Sequence, residues 1–192
     1  MRAARPSFVV GIGGSAGGLR GYLALFDALR ADTGMSFIVI SHILPSSTHS
    51  LLAELLAAHT RMPVQVAAEA MTIQADHVYV IPPNADLRLV DYAFRITSPR
   101  TMNRQVDIFL TSIAKAVGPL AIGIVLSGYD GDGSKACASI KALGGTTFAQ
   151  DESASVTEMP RSAVASGCVD FVLPVAEMAH ELHRISRRVG VH

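Results

Sequence analysis

Apolar residues in this chain fall into short unbroken runs separated by stretches of helical periodicity. The run Phe8-Val9-Val10-Gly11-Ile12-Gly13 predicts a buried strand ending in a glycine loop. Leu19, Tyr22, Leu23, Phe26 and Leu29 then recur at helical spacing. Residues 36–41 predict a second buried strand, and 51–59 a helix with Thr48 or Ser50 as its cap. Residues 77–82 and 87–96 read as short strands about a turn at Asn84, an antiparallel hairpin. Val106, Phe109, Leu110, Ile113 and Val117 outline another amphipathic helix. A third strongly apolar strand, 120–126, leads into the loop 127–133. A helix over 134–143, strands over 146–149 and 169–173, and a last helix opening at Pro174 complete the pattern. Val175, Met178, Leu182 and Ile185 form the inward stripe of that last helix.

Strands that alternate with helices and are apolar throughout indicate a parallel sheet covered on both faces. The expected fold is a doubly wound, mostly parallel, Rossmann-like α/β domain with an antiparallel hairpin insertion. It spans 1–192 with a core of about 8–188, and no repeat or linker divides it. In such folds ligands bind beyond the carboxyl ends of the strands. The loops 13–18, 42–47 and 127–133 all leave such ends and are expected to converge.

Charge narrows the function. Sixteen basic and sixteen acidic residues balance in 192, which argues against a nucleic-acid binder, since those carry a basic excess. Cys137 and Cys168 make neither a disulfide framework nor a zinc spacing, and read as buried thiols in a reducing compartment. The apolar stretch near the N-terminus is too short for a signal peptide, and no run of ~18 apolar residues suggests membrane insertion. A cytoplasmic protein is expected.

The first loop, Gly11-Ile12-Gly13-Gly14-Ser15-Ala16-Gly17-Gly18, fits two patterns at once. Gly11, Gly13 and Ala16 match the GxGxxA dinucleotide fingerprint, and Gly13, Ser15 and Gly17 match the GxSxG nucleophile elbow. A plain glycine turn with Ser15 as a helix cap is the third reading. The second strand separates them. A dinucleotide site needs an acid at its end to hold the ribose, whereas this strand ends in Ser41-His42. Histidine titrates near ~6.5 and can take a serine proton at neutral pH. The third loop, Ser127-Gly128-Tyr129-Asp130-Gly131-Asp132-Gly133, supplies two carboxylates that could orient the histidine. The rival reading is a divalent-metal loop, but the distal glutamate of a calcium loop is missing, because Glu152 lies too far along. Asp132 is also placed to N-cap the helix that starts near Gly133. The other histidines read as structural. His180 and His183, with Glu181, lack the i, i+4 pair of a zinc site and are expected to be solvated. His59 suits a helix end, His49 a helix start and His77 a strand edge.

In this order the pieces resemble the catalytic domain of the chemotaxis protein-glutamate methylesterases. They are Gly11–Gly18, Ser41-His42, His77-Val78-Tyr79-Val80-Ile81-Pro82-Pro83, Val106-Asp107-Ile108-Phe109, Leu126-Ser127-Gly128, Asp132-Gly133, Ala149-Gln150-Asp151 and Met159-Pro160-Arg161-Ser162-Ala163. Residues 15–19, 31–35 and 59–63 look most like the version fused to a methyltransferase. The resemblance implies a Ser-His-Asp triad of Ser15, His42 and Asp132; for such a triad the backbone N–H groups of Ala16 and Tyr129 are the expected oxyanion donors, and no cofactor is expected. It implies hydrolysis of glutamate γ-methyl esters, releasing methanol, on the cytoplasmic helices of chemoreceptors or a similar signalling protein. Deamidation of glutamines is the associated activity, and a methyltransferase or receiver protein is a further partner. Members usually carry an N-terminal receiver domain; here the first catalytic strand begins at Phe8, so none is expected. Tyr129 and Asp130 replace a Met-Gly pair, Glu158 replaces a glycine, and the segment between Asp151 and Met159 looks shortened. Those departures keep open the alternative of a non-catalytic signalling or binding module with the same fold.

Overall fold

The computed structural model describes residues 5–42 and 51–189. Among the described residues nine strands form: β1 (Val9–Gly14), β2 (Ser36–Ser41), β3 (Val64–Val66), β4 (His77–Val80), β5 (Asp86–Val90), β6 (Ala93–Thr97), β7 (Ala121–Val125), β8 (Thr146–Gln150) and β9 (Phe171–Leu173). The helices are α1 (Gly18–Ala28), α2 (Leu51–Ala57), α3 (Gln105–Val117), α4 (Ser134–Ala142), α5 (Glu158–Ala165) and α6 (Val175–Val189). Seven strands make one sheet in the order β3-β4-β2-β1-β7-β8-β9, every pair parallel.

Alternation along the strands builds a core on each side of this sheet. Val9, Ile38, Ile40 and Tyr79 face α3, α4, α5 and the β5–β6 ribbon. Val10, Ile12, Phe37, Val39, Val78 and Val80 face α1, α2 and α6. A strand buried on both faces has no polar side, which is why these segments read as continuous apolar runs. Strand β1 lies between β2 and β7, and all three run parallel, so their carboxyl ends lie at one edge of the fold; residues 43–47 of the expected second loop lie outside the described residues.

The hairpin exists, but not where the apolar pattern puts it. Residues 77–80 join the main sheet between β2 and β3. The antiparallel pair is β5 with β6, closed at Val90 opposite Ala93. Its two turn residues, Asp91 and Tyr92, both have positive φ, at 50° and 62°. That is the backbone of a type I′ turn, usually written Asn-Gly or Asp-Gly, and an Asp-Tyr pair hides it. The pattern also misses β3 and α5. Strand β3 has only partly covered and exposed residues, and α5 carries Pro160 in its first turn, where proline is tolerated. Thr48, Ser50 and His49 lie outside the described residues. Cys137 is buried, and burial pushes its thiol up to about 12; Cys168 is only partly covered, contrary to the expectation of two buried thiols. Among the described residues no helix is long and apolar enough to cross a membrane.

Candidate active site

The register of β1 against β2 pairs Gly13 with Ile40 and Gly14 with Ser41. Ser15 and His42 are therefore the next residues at the ends of two adjacent strands, whose spacing is ~4.8 Å. The end of β1 is held from both sides. A Cβ on Gly13 would lie 2.2 Å from Val106 Cγ1, so the missing side chain lets the first turn of α3 press onto the strand. On the other face, Tyr22 donates its hydroxyl to the Ile40 carbonyl at 3.1 Å.

Backbone hydrogen bonds set the turn at Ser15. Its N–H donates to the Ser127 carbonyl at 2.9 Å, and its carbonyl accepts the Gly18 N–H at 2.9 Å. The N-cap position of α1 is Gly17, with no side-chain cap, so the Ser15 hydroxyl does not cap the helix. In a trans peptide the N–H points opposite to the preceding carbonyl. With the Ser15 carbonyl turned onto the helix, the Ala16 N–H is turned away from it. The same reasoning applies at Tyr129: the Gly128 carbonyl accepts the Met159 N–H at 3.0 Å, which turns the Tyr129 N–H away from α5. Tyr129 is 58% exposed.

His42 Nε2 lies 2.7 Å from Asp132 Oδ2, with the two side chains 9% and 1% exposed. A carboxylate accepts, so Nε2 carries the proton and Nδ1 is left as the ring's acceptor. The Asp132 carboxylate accepts two more bonds, from the N–H groups of Val106 at 3.0 Å and Asp107 at 2.8 Å. Asp132 thus caps α3. It does not cap α4, whose N-cap position is Gly133 with no side-chain bond. The sequence expectation of a local cap is corrected here: the carboxylate reaches across to the neighbouring helix. Asp130 is exposed, has a φ of 68°, and accepts the Asp132 N–H at 2.8 Å. It shapes the loop that presents Asp132 and is not the carboxylate against His42. A metal loop would leave oxygens for a cation, whereas Asp132 spends both of its own on N–H donors. Among the described residues no group of His, Cys, Asp and Glu is arranged to hold a metal ion.

Four residues whose sequence pattern carries no role, Ser127, Gly128, Gln150 and Met159, hold this edge together. Ser127 donates its hydroxyl to the Ala16 carbonyl at 2.8 Å and accepts the Val156 N–H at 2.9 Å, while its own N–H donates to Gln150 Oε1 at 3.1 Å. Gly128 is the point of closest approach. A Cβ there would stand 2.1 Å from Met159 Sδ and 3.0 Å from Ser15 Cβ. Met159 is fully buried and has little room to retreat. Gly128→Ala is accordingly expected to cost about 1–3 kcal/mol through overpacking. It should also lower activity well beyond what the melting temperature explains, because Ser15 is one of the two groups displaced. Calorimetric melting set beside turnover checks this; unchanged turnover would mean that the contact with Ser15 relaxes freely.

Among the described residues three of the other histidines meet polar partners, and one expectation is corrected. His183 is not simply solvated: its Nε2 accepts the Arg30 N–H at 3.0 Å, and partial burial with nearby cations holds its pKa down. His59 Nδ1 meets Asp27 at 2.8 Å, and His77 Nδ1 meets the Ala75 carbonyl at 2.9 Å.

A serine on a sharp strand-to-helix turn, a histidine at the next strand end and a buried carboxylate on that histidine are the groups of a serine-hydrolase type of α/β protein. The chain belongs to the CheB methylesterase family, whose model matches residues 10–182. It is 36% identical over 190 residues to a protein-glutamate methylesterase/protein-glutamine glutaminase of Anaeromyxobacter dehalogenans, covering 97% of this chain and 55% of that protein. It is 38% identical over 127 residues to an uncharacterized 104.1 kDa protein of Rhodobacter capsulatus, covering 65% of this chain and 13% of that one. The chain therefore spans about half, or less, of the length of these relatives. The crystal structure of the Thermotoga maritima CheB methylesterase catalytic domain superposes with a TM-score of 0.85 at 27% identity, over 93% of this chain and 98% of that one.

Proposed function

We propose that this chain hydrolyses glutamate γ-methyl esters on the cytoplasmic helices of chemoreceptors or a similar signalling protein, with Ser15 as nucleophile, His42 as base and Asp132 as its orienting acid. The observation that carries the reading is the buried 2.7 Å contact between His42 and Asp132 at the strand end beside Ser15. His42 Nδ1 takes the Ser15 proton as the serine oxygen attacks the ester carbonyl. The Ala16 and Tyr129 N–H groups, with the N-terminal end of α1, stabilise the oxyanion. Methanol leaves with the proton from His42, which then activates water to release the acyl group from Ser15. Attack on a glutamine amide by the same steps gives deamidation. Side chains and backbone donors suffice, so the reading calls for no cofactor. It also places the protein in the cytoplasm, where the receptor helices are, with a methyltransferase or receiver protein as a regulating partner.

The non-catalytic alternative rests on Tyr129, Asp130 and Glu158. Asp130 takes up the left-handed backbone that suits a glycine there and shapes the loop through its bond to the Asp132 N–H. Glu158 opens α5, where an acid suits the helix dipole. Both substitutions are compatible with the His42–Asp132 contact, which favours catalysis. The test is methanol release from a methylated receptor fragment by wild type and Ser15→Ala. Release by wild type alone is expected; equal release by both would sink the proposal.

A further inference from the structure

Two helix N-termini beside His42 exchange carboxylates. Asp132, from the loop before α4, accepts the Val106 and Asp107 N–H groups of α3. Asp107, from the first turn of α3, accepts the Ala136 N–H of α4 through Oδ1 at 3.0 Å. Each helix therefore begins on an acid supplied by the other, and the loop carrying Asp132 is clamped at both ends. Asp107 is only 8% exposed.

We propose that Asp107 is a positioning residue of this site: it does not touch His42, but it fixes Asp132 through the exchange of caps and adds its negative charge to the field that stabilises the imidazolium. The proposal rests on the reading of His42 as the base. A purely structural cap would not need the charge, because Asn caps as well as Asp. Retaining the charge has a cost. Burial, with Asp132 close by, pushes the Asp107 carboxyl above the usual carboxylate range. A carboxyl raised on folding favours the folded state in acid and loses that contribution as pH rises through its folded value. The ionised Asp107 therefore contributes less to stability at neutral pH than the protonated carboxyl does in acid.

Few groups oppose or reinforce that charge. At the N-cap position of α3, Arg104 reaches Asp107 Oδ2 at 3.2 Å from a half-exposed position. On the loop before α4 stands Asp132, with His42 beyond it. On α4, Cys137 is nearby, and its thiol, raised to about 12, stays neutral. Among the described residues Arg104 is the one cation paired with Asp107.

The experiment follows the His42 ring by NMR titration in wild type, Asp107→Asn and Arg104→Ala. Asn keeps the cap and removes the charge, so the imidazolium is less stabilised. The His42 midpoint should fall by about half a pH unit, as for one charge at a screened distance of several ångströms. Removing the Arg104 cation should move it the other way. The melting temperature of Asp107→Asn should be equal to or above wild type at pH 7, with the gap closing in acid. Turnover of methyl ester should drop about threefold in kcat, with KM unchanged. A His42 midpoint in Asp107→Asn identical to wild type would overturn the proposal. The midpoint is read from the ring and not from turnover. If wild type released no more methanol than Ser15→Ala, the esterase reading would fall, while the titration would still decide the role of Asp107.

Discussion

A serine-directed phosphonate is expected to label Ser15 in the wild-type chain, not to label Ser15→Ala at all, and to label His42→Ala slower by about 10⁴-fold or more. The size follows from the chemistry. A serine hydroxyl is a poor nucleophile until a base takes its proton, and His42 Nδ1 is the ring nitrogen left free for this once Nε2 is committed to Asp132. The Ser15 hydroxyl is not spent on capping α1, and Ser15 is partly exposed, so a small probe can reach it. His42 sits at the end of β2, held in register with β1, so its loss removes a base without unfolding the sheet. Equal labelling of His42→Ala and wild type would show that some other group activates Ser15. Mass spectrometry of the labelled peptide identifies the site.

Asp132→Asn is expected to lower turnover by about 10⁴-fold, as replacing a triad acid does by removing the charge and favouring the wrong histidine tautomer. It is also expected to lower the melting temperature. Had Asp132 merely capped the helix that follows Gly133, asparagine would have served equally well. Instead its two oxygens accept from His42, Val106 and Asp107. An amide offers one oxygen and one NH₂, so at least one of those buried donors meets another donor. Leaving it unsatisfied costs about 1–3 kcal/mol, and each kcal/mol is roughly 2–4 °C of melting temperature in a chain of this size. Asp130→Asn should be mild in both measures, because asparagine tolerates the left-handed backbone and its oxygen can still accept the Asp132 N–H. Full activity in Asp132→Asn with loss in Asp130→Asn would reverse the assignment. Full activity in both would mean that this loop orients nothing.

Much of this protein was legible in its one-dimensional pattern. The buried strands β1, β2 and β7 stand out as apolar runs, and α1 and α3 as stripes at helical spacing, because a strand covered on both faces and a helix covered on one leave those signatures in adjacent residues. Ser15 on its glycine turn and His42 at a strand end were readable for the same reason: each needs only its own few neighbours. What only the tertiary structure decided involves residues far apart in the chain. The hairpin moved to 86–97 because β4 found partners in β2 and β3, a choice no local pattern records. Ser127 came to hold the turn at Ser15, Gly128 to pass between Ser15 and Met159, and Asp132 to cap α3 while Asp107 caps α4. Those contacts follow from β1 lying between β2 and β7. A polar side chain in sequence shows what it can donate or accept; which group it meets depends on the order in which strands assemble, and hydrophobic periodicity carries no information about that order.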